Sequence, residues 1–269
     1  MTMLASIFSQ IPLEALAVRM VATAVVVIAV SWAVGVFGPL VGGALAGLPV
    51  ILGPGFYFLA AQASEAFVAQ AASYALLSLC ATQFFLLAYI VVAGRASPWI
   101  ALGFAMATWL LAAFSFQLFP ARPLIGVILF IAATGVCFRL GAKFATHQAP
   151  LKRKAGIALF AMRGMFAGVL VALITTAAGW LGAVGAGLLL AFPIGYALVA
   201  LTVHQKYGAA SVTALLHSAI LGTVSLAGFC SALALTASYL PSSVALGIAM
   251  TTSVLVTFGL VSGVQFRRP

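Results

Sequence analysis

Apolar runs of 18 residues or more recur along the whole chain, and no other feature limits its fold so tightly. A helix of that length crosses most of the roughly 30 Å hydrocarbon core of a bilayer. Backbone polar groups find no water there, so only helices and closed barrels persist. A barrel would read as alternating segments of about ten residues, and the sequence has none. The 269 residues are 65% hydrophobic and 5% charged, too little polar surface for a soluble domain. The sequence therefore predicts an all-α fold, a polytopic transmembrane helix bundle.

Nine spans are predicted, at about 16–36, 40–61, 66–93, 99–117, 123–140, 157–179, 182–203, 209–235 and 243–263. Gly38-Pro39, Ser97-Pro98, Pro120 with Pro123, and Pro241 punctuate the connections. The split between spans four and five rests on "QLFPARP", where two prolines flank Arg122, a charge costly at mid-membrane. Residues 1–15 contain no Lys or Arg, and the first apolar run is long enough to span, so no cleavable signal is expected. Basic residues set the orientation. With the N-terminus outside, the inner side receives Arg95, Lys143, Lys152, Arg153, Lys154, Lys206, Arg267 and Arg268, and the outer side only Arg19 and Arg122. The predicted location is the cell inner membrane, N-terminus outside and C-terminus cytoplasmic. The net charge of +10 then reads as topology and contact with anionic lipid, and no nucleic-acid partner is expected.

An internal duplication underlies this pattern. Shifted by 144 positions without gaps, residues 17–111 match 161–255 at 24 of 95 positions, about twice what so biased a composition gives by chance. Arg19 falls on Arg163, Gly35 on Gly179, Gly38 on Gly182, Gly43 on Gly187 and Pro49 on Pro193. "ALGFAMATWLL" at 101–111 falls on "ALGIAMTTSVL" at 245–255. The repeat covers four spans and the offset five, and an odd offset turns the second copy over in the membrane. The expected organisation is a repeat unit at 1–120, a linker span with a basic cytoplasmic loop at 121–156, and a second unit at 157–269. Many secondary transporters share such an inverted-topology repeat.

The stretch "GALAGLPVILGPGF" places helix breakers inside span two. Pro49 and Pro193 each fall about halfway along a span. Interrupted spans at matching places of two halves point to a binding site, where freed carbonyls and half-helix N-termini supply polarity. Pro54 suits the first turn of a half-helix, so the chain is expected to break between Pro49 and Gly55, with the N–H groups of Phe56 and its neighbours facing the midplane. The candidate substrate-binding residues are Pro49, Gly53, Pro54 and Gly55 from span two, and Pro193, Gly195 and Tyr196 from span seven. They are expected to enclose a small cavity. The same prolines and glycines also read as kinks and close-packing positions. The run from Arg19 through "FGPLVGGALAGLPV" resembles small, largely uncharacterised bacterial inner-membrane proteins of the GlpM-like type, which implies an inner-membrane location and little more. The second half departs from that pattern, with Ala183 where the first has Pro39.

Glu14 and Glu65 are the only acids. The chain therefore has no carboxylate pair, no Asp cluster for a metal and no nucleophile–base signature. No catalytic residue, cofactor or metal is expected, and the chain does not read as an enzyme. Four residues are gating or coupling candidates, each with a structural alternative. Glu65 reads as a proton or cation site, or as a first-turn cap. His217 reads as a proton-coupling group, or as a neutral ring bonded to a neighbouring hydroxyl. Arg19 and Arg163 read as paired gate charges, or as snorkelling anchors. His204, in "TVHQKYG", reads as a solvated loop residue. Gln70, Ser73, Gln83, Thr213, His217 and Ser225 form a polar path, or hydrogen bonds between helices. Cys80, Cys137 and Cys230 read as packing residues. The expected activity is transport or facilitated passage of a small solute. The alternative is a non-transporting subunit or assembly factor. Expected partners are the lipid bilayer and that solute, with a homo-oligomer or membrane partner subunits left open.

Overall fold

The computed structural model describes residues 14, 17–25, 28, 49–145 and 157–265. The first half of span two, with Gly43, and most of the basic loop lie outside the described residues. The chain is helical, with α1 at Leu52–Ala60, α2 at Glu65–Val92, α3 at Pro98–Phe116 and α4 at Pro123–Gly141. There follow α5 at Ile157–Thr176, α6 at Ala178–Leu190, α7 at Ile194–Thr236 and α8 at Ser242–Gln265. Residues 17–25 are also helical, and no strand occurs among the described residues.

The predicted punctuation becomes helix starts. Ser64 and Ser97 accept hydrogen bonds from the N–H groups of Phe67 (3.3 Å) and Ile100 (3.5 Å), satisfying donors that have no intrahelical partner. Pro98 and Pro123 occupy first turns, and Arg122 is the exposed N-cap of α4. Among the described residues, five segments are long and apolar enough to cross a membrane: Glu65–Val92, Pro98–Phe116, Pro123–Gly141, Ala178–Thr236 and Ser242–Leu260. The protein is thus an all-helical, multi-pass membrane protein. The 59 residues of Ala178–Thr236 would make a straight rod of about 90 Å. Instead the chain turns at Gly182 (φ 61°) and Gly208 (φ 83°), a left-handed conformation that only glycine adopts without strain. Gly208 ends one helix and begins the next without any loop.

Burial ranks the helices. α2 is apolar on every side and 78% buried over its most hydrophobic window, as a central helix must be. It packs against α3, α4, α6 and α7. α3 and α8 are each 22% buried and expose Trp99, Leu111, Phe114 and Leu255. The linker helix α4 lies against both α2 and α7, with Gly126 on Leu76 and Gly141 on His217.

Two hydrophobic cores result. The first contains Phe56, Leu59, Val68, Leu76, Phe229, Leu233 and Ala245. The second contains Ala200, Val203, Val212, Ile220, Phe85, Tyr89 and Ala101. Taken in order, each residue of the first lies 144 positions from its counterpart in the second. Near the N-terminus, the helix at 17–25 crosses α5 at two glycines. A Cβ at Gly164 would lie 3.0 Å from the carbonyl oxygen of Ala24, and one at Gly168 would strike that of Met20. Small residues let the two backbones touch.

Candidate functional site

The break in span seven is built from one missing donor. Pro193 has no N–H, so the helical ladder of α6 fails at Leu190. The N–H of Phe192 turns to Leu189 O (3.1 Å), which leaves Leu188 O without its usual helical donor. The α2 hydroxyls fill the gap. Ser78 Oγ donates to Leu188 O at 2.9 Å. One turn on, Thr82 Oγ1 lies 3.5 Å from Ala191 O while also donating to Ser78 O at 3.1 Å. The freed carbonyls at this break are therefore partly satisfied from within the protein.

In span two the described residues begin at Pro49, within the stretch from Pro49 to Gly55 where the chain is expected to break. Residues 49–51 are non-helical and α1 begins at Leu52, so Gly53, Pro54 and Gly55 lie in its first turn and are not the break. The N–H of Gly53 donates to Pro49 O (2.6 Å) and that of Gly55 to Ile51 O (3.1 Å). Carbonyls from the non-helical residues satisfy these donors, and Phe56 lies inside α1. Pro49 and Pro193 are both buried. α1 and α6 touch, since a Cβ on Gly55 would lie 2.5 Å from Leu190 Cδ2.

Two buried polar atoms near this region have no partner in the structure: Gln83 Oε1 and Trp109 Nε1. The Gln83 amide nitrogen donates to Thr134 Oγ1 (2.8 Å) and Thr223 Oγ1 (2.7 Å), tying α2 to α4 and α7. The Trp109 ring meets the edge of Phe192, 4.9 Å between centroids, next to Pro193. An acceptor and a donor are thus held buried and unpaired, at a cost of about 1–3 kcal/mol each. Gln83 is among the polar residues singled out from the sequence. Ser78 and Thr82 are not, although their spacing of four on an apolar helix is a readable stripe. Trp109 and Thr134 carried no signal, because their role depends on residues far along the chain.

The cavity differs from expectation. About 350 Å³ opens beside Gly53 and Pro54, lined also by Ala22, Tyr57, Phe58, Leu246 and Met250. Neither Pro193, Gly195 nor Tyr196 lines it. Leu190 packs against Gly55, and Tyr196 packs against the second core. The polar path is also not continuous. Ser73, Thr213 and Ser225 each donate to a carbonyl three or four residues back on their own helix, and Gln70 is exposed.

The ionisable candidates fall in separate places. Arg19 donates to Gln62 Oε1 (2.8 Å) and to the hydroxyls of Thr176 (3.2 Å) and Thr175 (3.5 Å). The Gln62 amide in turn donates to the Thr175 carbonyl. Arg19 therefore joins three elements through neutral partners. The side chain of Arg163 lies outside the described residues. Glu65 is exposed in the first turn of α2, where a carboxylate complements the helix dipole. His217 Nε2 lies 3.0 Å from Phe138 O, and its ring stacks on Phe138 at 4.4 Å. A carbonyl only accepts, so this nitrogen carries the proton, and the partner is a backbone group, not the expected hydroxyl. His204 is not a solvated loop residue. It is buried within α7, with Nδ1 3.2 Å from the Tyr89 hydroxyl, because the helix runs on to Gly208. Cys80, Cys137 and Cys230 are buried and free.

Compared with family models, characterised proteins and solved structures, this chain matches none. The class it defines is that of a multi-pass helical membrane protein, and its function must be argued from these residues.

Proposed function

We propose that this protein is a secondary transporter or facilitator of a small solute in the cell inner membrane, with its site where spans two and seven are interrupted. One observation carries the reading: Pro49 and Pro193 stand at duplicated positions, both buried and each just before a helix start, and the segments beside them touch at Gly55 and Leu190. The orphaned Gln83 Oε1 and Trp109 Nε1 support it further, since a passing solute with both a donor and an acceptor would satisfy them.

An inverted repeat is part of the proposal. The seven pairs of core residues that exchange under the 144-residue shift support a pseudo-two-fold relation. So does the crossing of the helix at 17–25 with α5. Met20 meets Gly168 and Ala24 meets Gly164, and the shift turns either contact into the other. Such pairing lets one half take the other's conformation, the basis of alternating access.

A second reading, a non-transporting subunit of a membrane complex, is favoured by the capping of Leu188 and Ala191 carbonyls by Ser78 and Thr82. Reconstitution separates the two. A transporter gives solute flux in proteoliposomes holding this chain alone. Copurifying subunits and no flux for any solute class tested favour the subunit.

A further inference from the structure

The cavity beside Gly53 has a shape and a chemistry of its own. Its lining residues, Ala22, Gly53, Pro54, Tyr57, Phe58, Leu246 and Met250, offer almost nothing to a polar solute. It is also turned outward, for Tyr57 is 62% and Met250 38% exposed. The groove runs along α1, between the helix at 17–25 and α8. Gly53 forms its floor: a Cβ there would sit 3.5 Å from Met250 Sδ and Cε, so a longer side chain would fill the space.

One end of this groove is charged. Arg19 lies one helical turn from Ala22, and Gln62, which accepts from Arg19 at 2.8 Å, lies four residues beyond Phe58. On α1 the lining runs from Gly53 to Phe58, about 7.5 Å of helix, and Gln62 lies past the helix end at Ala60. Every described partner of Arg19 is neutral, namely Gln62, Thr175 and Thr176. These bonds fix the guanidinium without cancelling its charge. An apolar groove with an uncancelled guanidinium one helical turn beyond its Ala22 matches an amphiphile with an anionic head.

We propose that this groove is a phospholipid site, taking one acyl chain beside Gly53 and Pro54 and the phosphate at Arg19. Guanidinium recognises phosphate by charge-assisted hydrogen bonds, and the glycine leaves room for the chain. Ala22 and Gly53 have Phe166 and Ala197 as their counterparts in the other half, larger residues that would narrow an equivalent groove. The lipid site is therefore expected on one half alone. It holds whether or not the protein moves a solute.

The test is binding by the full-length protein in detergent, read as the rise in melting temperature on titration with dioleoylphosphatidylglycerol. Dioleoylglycerol supplies the chains without the phosphate, and glycerol 3-phosphate the phosphate without the chains. Saturable stabilisation is expected from the phospholipid only. Arg19→Gln and Gly53→Leu should each weaken it about tenfold. Thr176→Val, which removes a tie of Arg19 but not its charge, should leave it within about twofold. If Gly53→Leu does not fold, Met250→Trp fills the groove from the opposite wall and should give the same loss. Three results would overturn the proposal: unchanged binding in both Arg19→Gln and the groove-filling variant, equal stabilisation by dioleoylglycerol, or equal stabilisation by glycerol 3-phosphate.

Discussion

At the scale of single residues, glycines divide by what surrounds them. A Cβ on Gly187 would collide with the Ala71 carbonyl oxygen and lie 2.9 Å from Tyr74 Cβ, so α6 rests its backbone directly on α2. Backbone cannot step aside, and overpacking of this kind costs about 1–3 kcal/mol. Gly187→Val is expected to lower the melting temperature in detergent or abolish folded yield. Gly247→Ala, with nothing within 4 Å, should melt like the wild type. Equal behaviour of the two would remove the close approach of α2 and α6. Gln83 makes the complementary case. Its amide nitrogen bonds hydroxyls on two other helices, and hydrogen bonds between membrane helices are worth about 0.6–1.7 kcal/mol. Gln83→Leu should therefore cost little stability. Under the transport reading it should nonetheless cut flux sharply, because it deletes the buried acceptor. Full flux in a well-folded Gln83→Leu protein would leave the residue a strut.

Elements were legible in the sequence where local chemistry decides them. The missing N–H of Pro193 interrupts span seven whatever surrounds it, and Ser-Pro at 97–98 starts α3 by capping alone. The exact start of α1 at Leu52 was not legible, because it depends on the carbonyls of residues 49 and 51 accepting from Gly53 and Gly55. His204 was misplaced for a related reason. His-Gln-Lys at 204–206 resembles a loop, yet the helix ends only at Gly208, and the Tyr89 hydroxyl that receives the ring is 115 positions away. Pro193 itself gives a test at this scale. Pro193→Ala restores a donor for Leu189 O and favours a continuous helix through residues 183–207. The variant is expected to be at least as stable as the wild type, since a helix-interior proline costs about 3 kcal/mol. Under the transport reading it should lose most flux. A variant that keeps full flux would show the break to be dispensable.

For the whole molecule, the decisive question is whether the two halves face opposite ways. Sequence identity between them is too sparse to settle it, but the packing offers a sharper argument. α2 runs with its N-terminal half in the first core beside the C-terminal part of α7, and its C-terminal half in the second core beside residues 212–220. The counterpart of α2 under the 144-residue shift, residues 209–236, is thus antiparallel to it, as an inverted repeat requires. Two parallel copies would pair like with like. With eight basic residues on one side against two on the other under nine spans, the orientation is expected to be N-terminus outside and C-terminus in the cytoplasm. Reporter fusions after residues 95, 150 and 206 should all read cytoplasm, and one after residue 62 should read the outer side. Position 150 discriminates best. It follows helix α4, whose single crossing would invert the second copy under the proposed repeat. An outer-side signal there would mean an even number of crossings between the repeats, which removes the inversion and with it the alternating-access reading, even if the helices themselves are placed as described.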